Sequence, residues 1–97
     1  MNSTAASQPP ISPPMEGIIE DFLKHFYIWE LVKREKWGKN IYISFRTGVF
    51  NDLHAKQFQK IARLHGFRLV GYGIRPVDAG KLLVTFVLIP KRGDESK

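Results

Sequence analysis

The sequence predicts an α+β domain: a four-stranded antiparallel sheet with two helices on one face, in the order α-β-β-α-β-β. Three observations predict it. The stretch FRLVGYGIRPVDAGKLLVTFVLIP, residues 67–90, holds the longest apolar run in the chain. It reads as two strands joined through a loop around Pro76, Asp78 and Gly80. Just before it, Leu53, Phe58, Ile61, Ala62 and Leu64 follow helical spacing between a capping Asn51 or Asp52 and a terminating Gly66. Finally, sliding the chain along itself by 41 residues sets Phe26 on Phe67, Leu23 on Leu64, Ile28 on Leu69 and Arg34 on Arg75. The same shift sets Ile41 on Leu82, Ile43 on Val84, Ser44 on Thr85 and Phe45 on Phe86. The chain therefore reads as two helix-plus-hairpin units related by a pseudo-twofold axis.

Taken in order, residues 1–14 (MNSTAASQPPISPP) are rich in Ser, Pro and Ala, and Ile11 is their one large aliphatic residue. Such a segment buries too little surface to offset its ordering entropy, so a disordered tail is expected. A single domain follows over 15–90, and then a charged, frayed end over 91–97. The first helix should start near Ser12 as cap, with Pro13 or Pro14 in its first turn, where no amide hydrogen is needed. Glu16, Glu20 and Asp21 suit the positive end of its dipole, and Ile18, Ile19, Phe22, Leu23 and Phe26 form one buried stripe.

From Phe26 onward, FYIWELV is apolar nearly all round, and two readings compete. The helix could run on to Trp37 and end at Gly38, giving α-β-α-β-β. Alternatively, Tyr27 to Arg34 is a strand paired with Ile41 to Arg46 through the Lys36-Trp37-Gly38-Lys39-Asn40 loop. The internal repeat favours the hairpin.

The 97 residues carry 15 Lys and Arg against 9 Asp and Glu, a formal charge of +6 and a pI near 9.8. An anionic partner is implied, nucleic acid before acidic protein or lipid. With no cysteine, disulfides, thiolate-bound zinc and thiol catalysis are excluded. No apolar run approaches the ~20 residues needed to span a bilayer, and the N-terminus lacks a secretory pattern. A soluble, cytoplasmic protein is expected.

Helices gathered on one face leave the other face of the sheet open, and function is sought there. Alternation along the strands turns Ile41, Ile43, Phe45, Leu82, Val84, Phe86 and Leu88 toward the helices. It turns Tyr42, Ser44, Arg46 and Thr85 outward, together with Arg68, Val70, Tyr72 and Ile74 of the third strand. By the repeat, Tyr27, Trp29, Leu31 and Lys33 join them. The expected nucleic-acid face is therefore Tyr27, Trp29, Tyr42, Arg46, Arg68 and Tyr72, flanked by Lys33, Lys36, Lys39 and Lys81, with Trp37 in the Lys-rich turn. Rings that stack on unpaired bases beside cations that hold phosphates point to single-stranded DNA or RNA. Lys56, Lys60 and Arg63 on the second helix keep duplex binding open.

The competing expectation is assembly. Val70, Ile74, Leu83, Val87 and Ile89 would form an apolar patch on the same face, through which the chain would homodimerise. No catalytic or metal-ligating constellation emerges, and no enzyme activity, cofactor or metal is expected. His54 and His65 lie about 16 Å apart along one helix, too far to share an ion. Asp21, Glu30, Glu35, Asp52 and Asp78 show no paired spacing. Thr47-Gly48 reads as an ordinary turn rather than a phosphate loop. Gly71 and Gly73 are expected to permit a close helix approach or a bulge.

Overall fold

The computed structural model describes residues 13–91, with side chains from Met15; the expected tail and frayed end fall almost wholly outside them. The elements are α1 (Pro13–His25), β1 (Glu30–Trp37), β2 (Asn40–Thr47), α2 (Asp52–Leu64), β3 (Phe67–Pro76) and β4 (Leu82–Pro90). The order is α-β-β-α-β-β, and the hairpin reading of the first half holds. The four strands form one antiparallel sheet in the order β1-β2-β4-β3, with β1 and β3 as its edges.

That order is symmetric under exchange of the two halves. β2 and β4 pair so that Ser44 lies directly opposite Thr85, and their hydroxyl oxygens are 2.8 Å apart. Ser44 and Thr85 are also the positions that the 41-residue shift superimposes. The pseudo-twofold axis therefore passes through this hydroxyl pair, at the centre of the sheet.

Local chemistry explains the boundaries. Asn51 caps α2 by accepting from the Leu53 amide at 2.9 Å, and His54 Nδ1 accepts from the Asn51 amide at 3.0 Å, closing a capping box. Beyond the His65 cap, Gly66 takes φ of 86°, a left-handed conformation that a Cβ would disfavour. The helices run antiparallel. Early in α1, Gly17 and Asp21 meet His65 beyond the end of α2, while Phe26, just past α1, meets His54 at the start of α2. A Cβ on Gly17 would come within 2.7 Å of the His65 ring, so glycine is what lets α1 approach.

The core lies between the helices and one sheet face. Phe22 sits at its centre, within 4.9–5.2 Å of the rings of Phe26, Trp29, Phe45 and Phe58. Phe58 and Phe86 stack at 3.9 Å with their planes 9° apart, joining α2 to β4. Ile41, Ile43, Phe45, Val84, Phe86 and Leu88 are all buried, as alternation requires.

Two local features depart from expectation. β1 begins at Glu30 rather than Tyr27, because residues after α1 form a turn in which the Phe26 amide bonds to the Phe22 carbonyl and the Trp29 amide to the Phe26 carbonyl. Both edge strands also carry a register shift, between Leu31 and Lys33 and between Leu69 and Gly71, which leaves Val32 and Val70 as the extra residues. A bulge moves every later side chain to the opposite face.

Candidate nucleic-acid interface

Residues paired directly across strands share a sheet face, so the registers fix the composition of the open side. β2 contributes Asn40, Tyr42, Ser44 and Arg46, and β4 contributes Leu83, Thr85, Val87 and Ile89. Opposite these, β1 contributes Glu30, Lys33, Glu35 and Trp37, and β3 contributes Arg68, Gly71, Gly73 and Arg75.

Tyr42, Arg46, Arg68 and Lys33 thus stand where the alternation put them, and Trp37 joins them at the end of β1, 67% exposed. Trp29 does not. It is 3% exposed, beneath the sheet, with the rings of Phe22 and His54 both 5.0 Å away. Leu31 pairs with Phe45 and also faces inward. Tyr72 is displaced by the bulge: it pairs with Phe86 on the helix side, its ring 5.3 Å from Phe50 and 6.0 Å from Phe86. Ile74, opposite buried Val84, is carried inward with it, and Val70 is the bulge residue itself. Tyr27 is exposed in the turn before β1, off the sheet. Lys36 lies opposite Ile41, on the helix side of the edge, while Lys39 and Lys81 are exposed in loops.

The same bulge puts Gly71, Gly73 and Arg75 outward. Gly73 floors a shallow depression bounded by Arg75, Leu83 and Thr85. A Cβ on either glycine would meet nothing within 4 Å, so no helix approaches them, and their effect is to leave bare backbone on the open face. Sequence reasoning missed Arg75. The signal was the pair of glycines, which marks a strand free to bulge.

Ion pairing is uneven across the molecule. Around β1 and β2 three cations are paired: Arg46 with Glu30 at 2.8 Å and Asp78 at 3.2 Å, Lys33 with Glu35 at 3.2 Å, and Arg34 with Glu16 at 3.2 Å, while Lys36 and Lys39 form no ion pair among the described residues. The hydrogen bond to Glu30 holds the Arg46 guanidinium above its ordinary pKa. Glu35 is held below the usual carboxylate range by the Trp37 indole N–H and then by Lys33. Around α2 and β3, Lys56, Lys60, Arg63, Arg68 and Arg75 form no ion pair among the described residues. Lys56, Lys60 and Arg63 share one exposed stripe of α2, about 10 Å long, beside a groove lined by Gln59, Leu69, Val70 and Tyr72.

The histidines have structural partners. His54 completes the capping box against Phe26, Trp29 and Phe50, and burial pushes its imidazole below the ordinary value. His65 Nε2 lies 2.8 Å from the Asp21 carboxylate, and that hydrogen bond lowers the Asp21 pKa. Among the described residues, no three His, Cys, Asp or Glu side chains gather as a metal site, and no helix is long and apolar enough to cross a membrane. Comparison with protein-family models, with curated proteins and with solved structures finds no match.

Proposed function

We propose that the protein binds nucleic acid chiefly through its phosphates, along the cationic flank formed by α2 and β3. One observation supports this reading: Lys56, Lys60 and Arg63 on α2 and Arg68 and Arg75 on the open face of β3 form no ion pair among the described residues, whereas Lys33, Arg34 and Arg46 of β1 and β2 are met by carboxylates. Unpaired Lys and Arg displace condensed counterions from a phosphate backbone, and that release dominates affinity. Bare backbone at Gly71 and Gly73 lets a chain of nucleotides lie close to the sheet between Arg68 and Arg75. Trp37 and Tyr42 remain on the open face as stacking rings, so single strands stay the preferred ligand, with less weight on stacking than the sequence implied.

The test is a titration of a labelled oligonucleotide, single-stranded and duplex, against two sets of variants. Lys56→Gln with Lys60→Gln, or Arg68→Gln with Arg75→Gln, should weaken binding at least tenfold, since each removes two unpaired cations. Arg46→Gln, whose charge is already met by Glu30 and Asp78, should change it several-fold less. Equal effects at the paired and unpaired positions would sink the proposal.

A second reading, an assembly module, is supported by the apolar row Leu83, Val87 and Ile89 on the open face, each only partly buried. Association through that face predicts a dimer broken by Val87→Lys.

A further inference from the structure

The two sheet edges are built differently. β1, ELVKREKW, has charged side chains at five of its eight positions, which discourages pairing with another chain. β3, FRLVGYGIRP, confines its charges to Arg68 and Arg75. Between them Val70, Tyr72 and Ile74 are 50%, 42% and 45% exposed. Only β4 pairs with β3, so its outward amides and carbonyls have no strand partner among the described residues. A ten-residue edge of this kind is a template for strand addition.

The sequence of the edge says which strand fits. Residues 70–74 read Val-Gly-Tyr-Gly-Ile, close to a palindrome centred on Tyr72. Antiparallel pairing with a second copy about Tyr72 sets Tyr72 against Tyr72, Gly71 against Gly73 and Val70 against Ile74. Ile74 then meets, on the helix side, the bulge residue Val70, which lines the groove beside α2, and glycines meet on the open side. The register also keeps Arg68 away from the second copy's Arg75, whereas a slip of one residue in one direction would put them opposite each other. We propose that the protein is a twofold dimer whose β3 strands pair antiparallel about Tyr72, joining two sheets into one of eight strands. An isologous contact needs this self-complementarity, and a foreign peptide would not.

The experiment uses the full chain without nucleic acid, so its outcome is independent of the proposed function. Sedimentation at micromolar concentration should give twice the 11.2 kDa protomer mass. Val70→Lys and Ile74→Lys should yield folded monomers by circular dichroism, while Val87→Lys on the open face stays dimeric. Directly opposed residues have Cα atoms ~4.5–5.5 Å apart, within disulfide reach. In this cysteine-free chain, Tyr72→Cys should therefore oxidise to a covalent dimer far faster than exposed Leu53→Cys. A wild-type monomer, a dimer broken by Val87→Lys but not by Ile74→Lys, or equal cross-linking of the two cysteine variants would each overturn the proposal.

Discussion

Replacing Trp29 separates the core from the proposed binding face. The indole is 3% exposed and lies within 6.5 Å of the ring centroids of Phe22, Phe26, Phe45, Phe50, His54 and Phe86. Truncation to alanine removes its transfer free energy and leaves a cavity among rigid rings, which costs about 3–5 kcal/mol. For a domain of this size that lowers the melting temperature by at least about 12 °C. Trp29→Phe behaves differently. Among the described residues Trp29 Nε1 has no hydrogen-bond partner, and a buried donor in that state costs about 1–3 kcal/mol. Phenylalanine removes the donor along with part of the ring, so the two effects offset and the net change stays within about 1 kcal/mol. Urea unfolding followed by far-ultraviolet circular dichroism measures both, with an unchanged slope as evidence that the folded state keeps its compactness. Nucleic-acid affinity of folded Trp29→Phe should equal that of the parent. An alanine variant within 1 kcal/mol of the parent, or a folded phenylalanine variant with weakened binding, would refute the placement of Trp29 in the core.

Two further predictions concern polar groups inside the fold. His54 must be unprotonated at Nδ1 to accept the Asn51 amide, and burial lowers its pKa. The unfolded chain therefore binds this proton more readily, and the stabilisation is complete above about pH 6.5 and lost as pH falls through the folded value. His54→Gln, which can also close a capping box, should flatten this part of the stability profile; a difference between the two proteins that is independent of pH contradicts it. At the axis, Ser44→Ala or Thr85→Val alone strands the other hydroxyl and should cost about 1–3 kcal/mol. The double variant should cost clearly less than the sum, and simple additivity in denaturant melts would show that the pair is not coupled.

The helices and inner sheet face were legible because their periodicity is unbroken: Ile41, Ile43 and Phe45, like Val84, Phe86 and Leu88, alternate without interruption and are all buried. The repeat was legible for the same reason, and the opposition of Ser44 and Thr85 gives it a physical axis. Edge strands obey weaker rules. Val32 and Val70 each add a residue that alternation cannot foresee, and one such residue sent Tyr72 inward and Arg75 outward. Trp29 was misplaced because the repeat treated it as part of a strand, whereas it belongs to the turn that closes α1 against β1. The division between paired and unpaired cations depends on contacts between residues far apart in sequence, such as Arg46 with Asp78, and no local pattern reveals them.

The most direct test of the central claim is the salt dependence of binding. A single strand gripped by phosphates releases about 0.7 counterions per contact, so logarithmic plots of affinity against salt should be straight. If Lys56, Lys60, Arg63, Arg68 and Arg75 each meet a phosphate, the slope is about −3.5 for the unmodified chain. A slope near zero, or no measurable binding at low salt, would contradict the account.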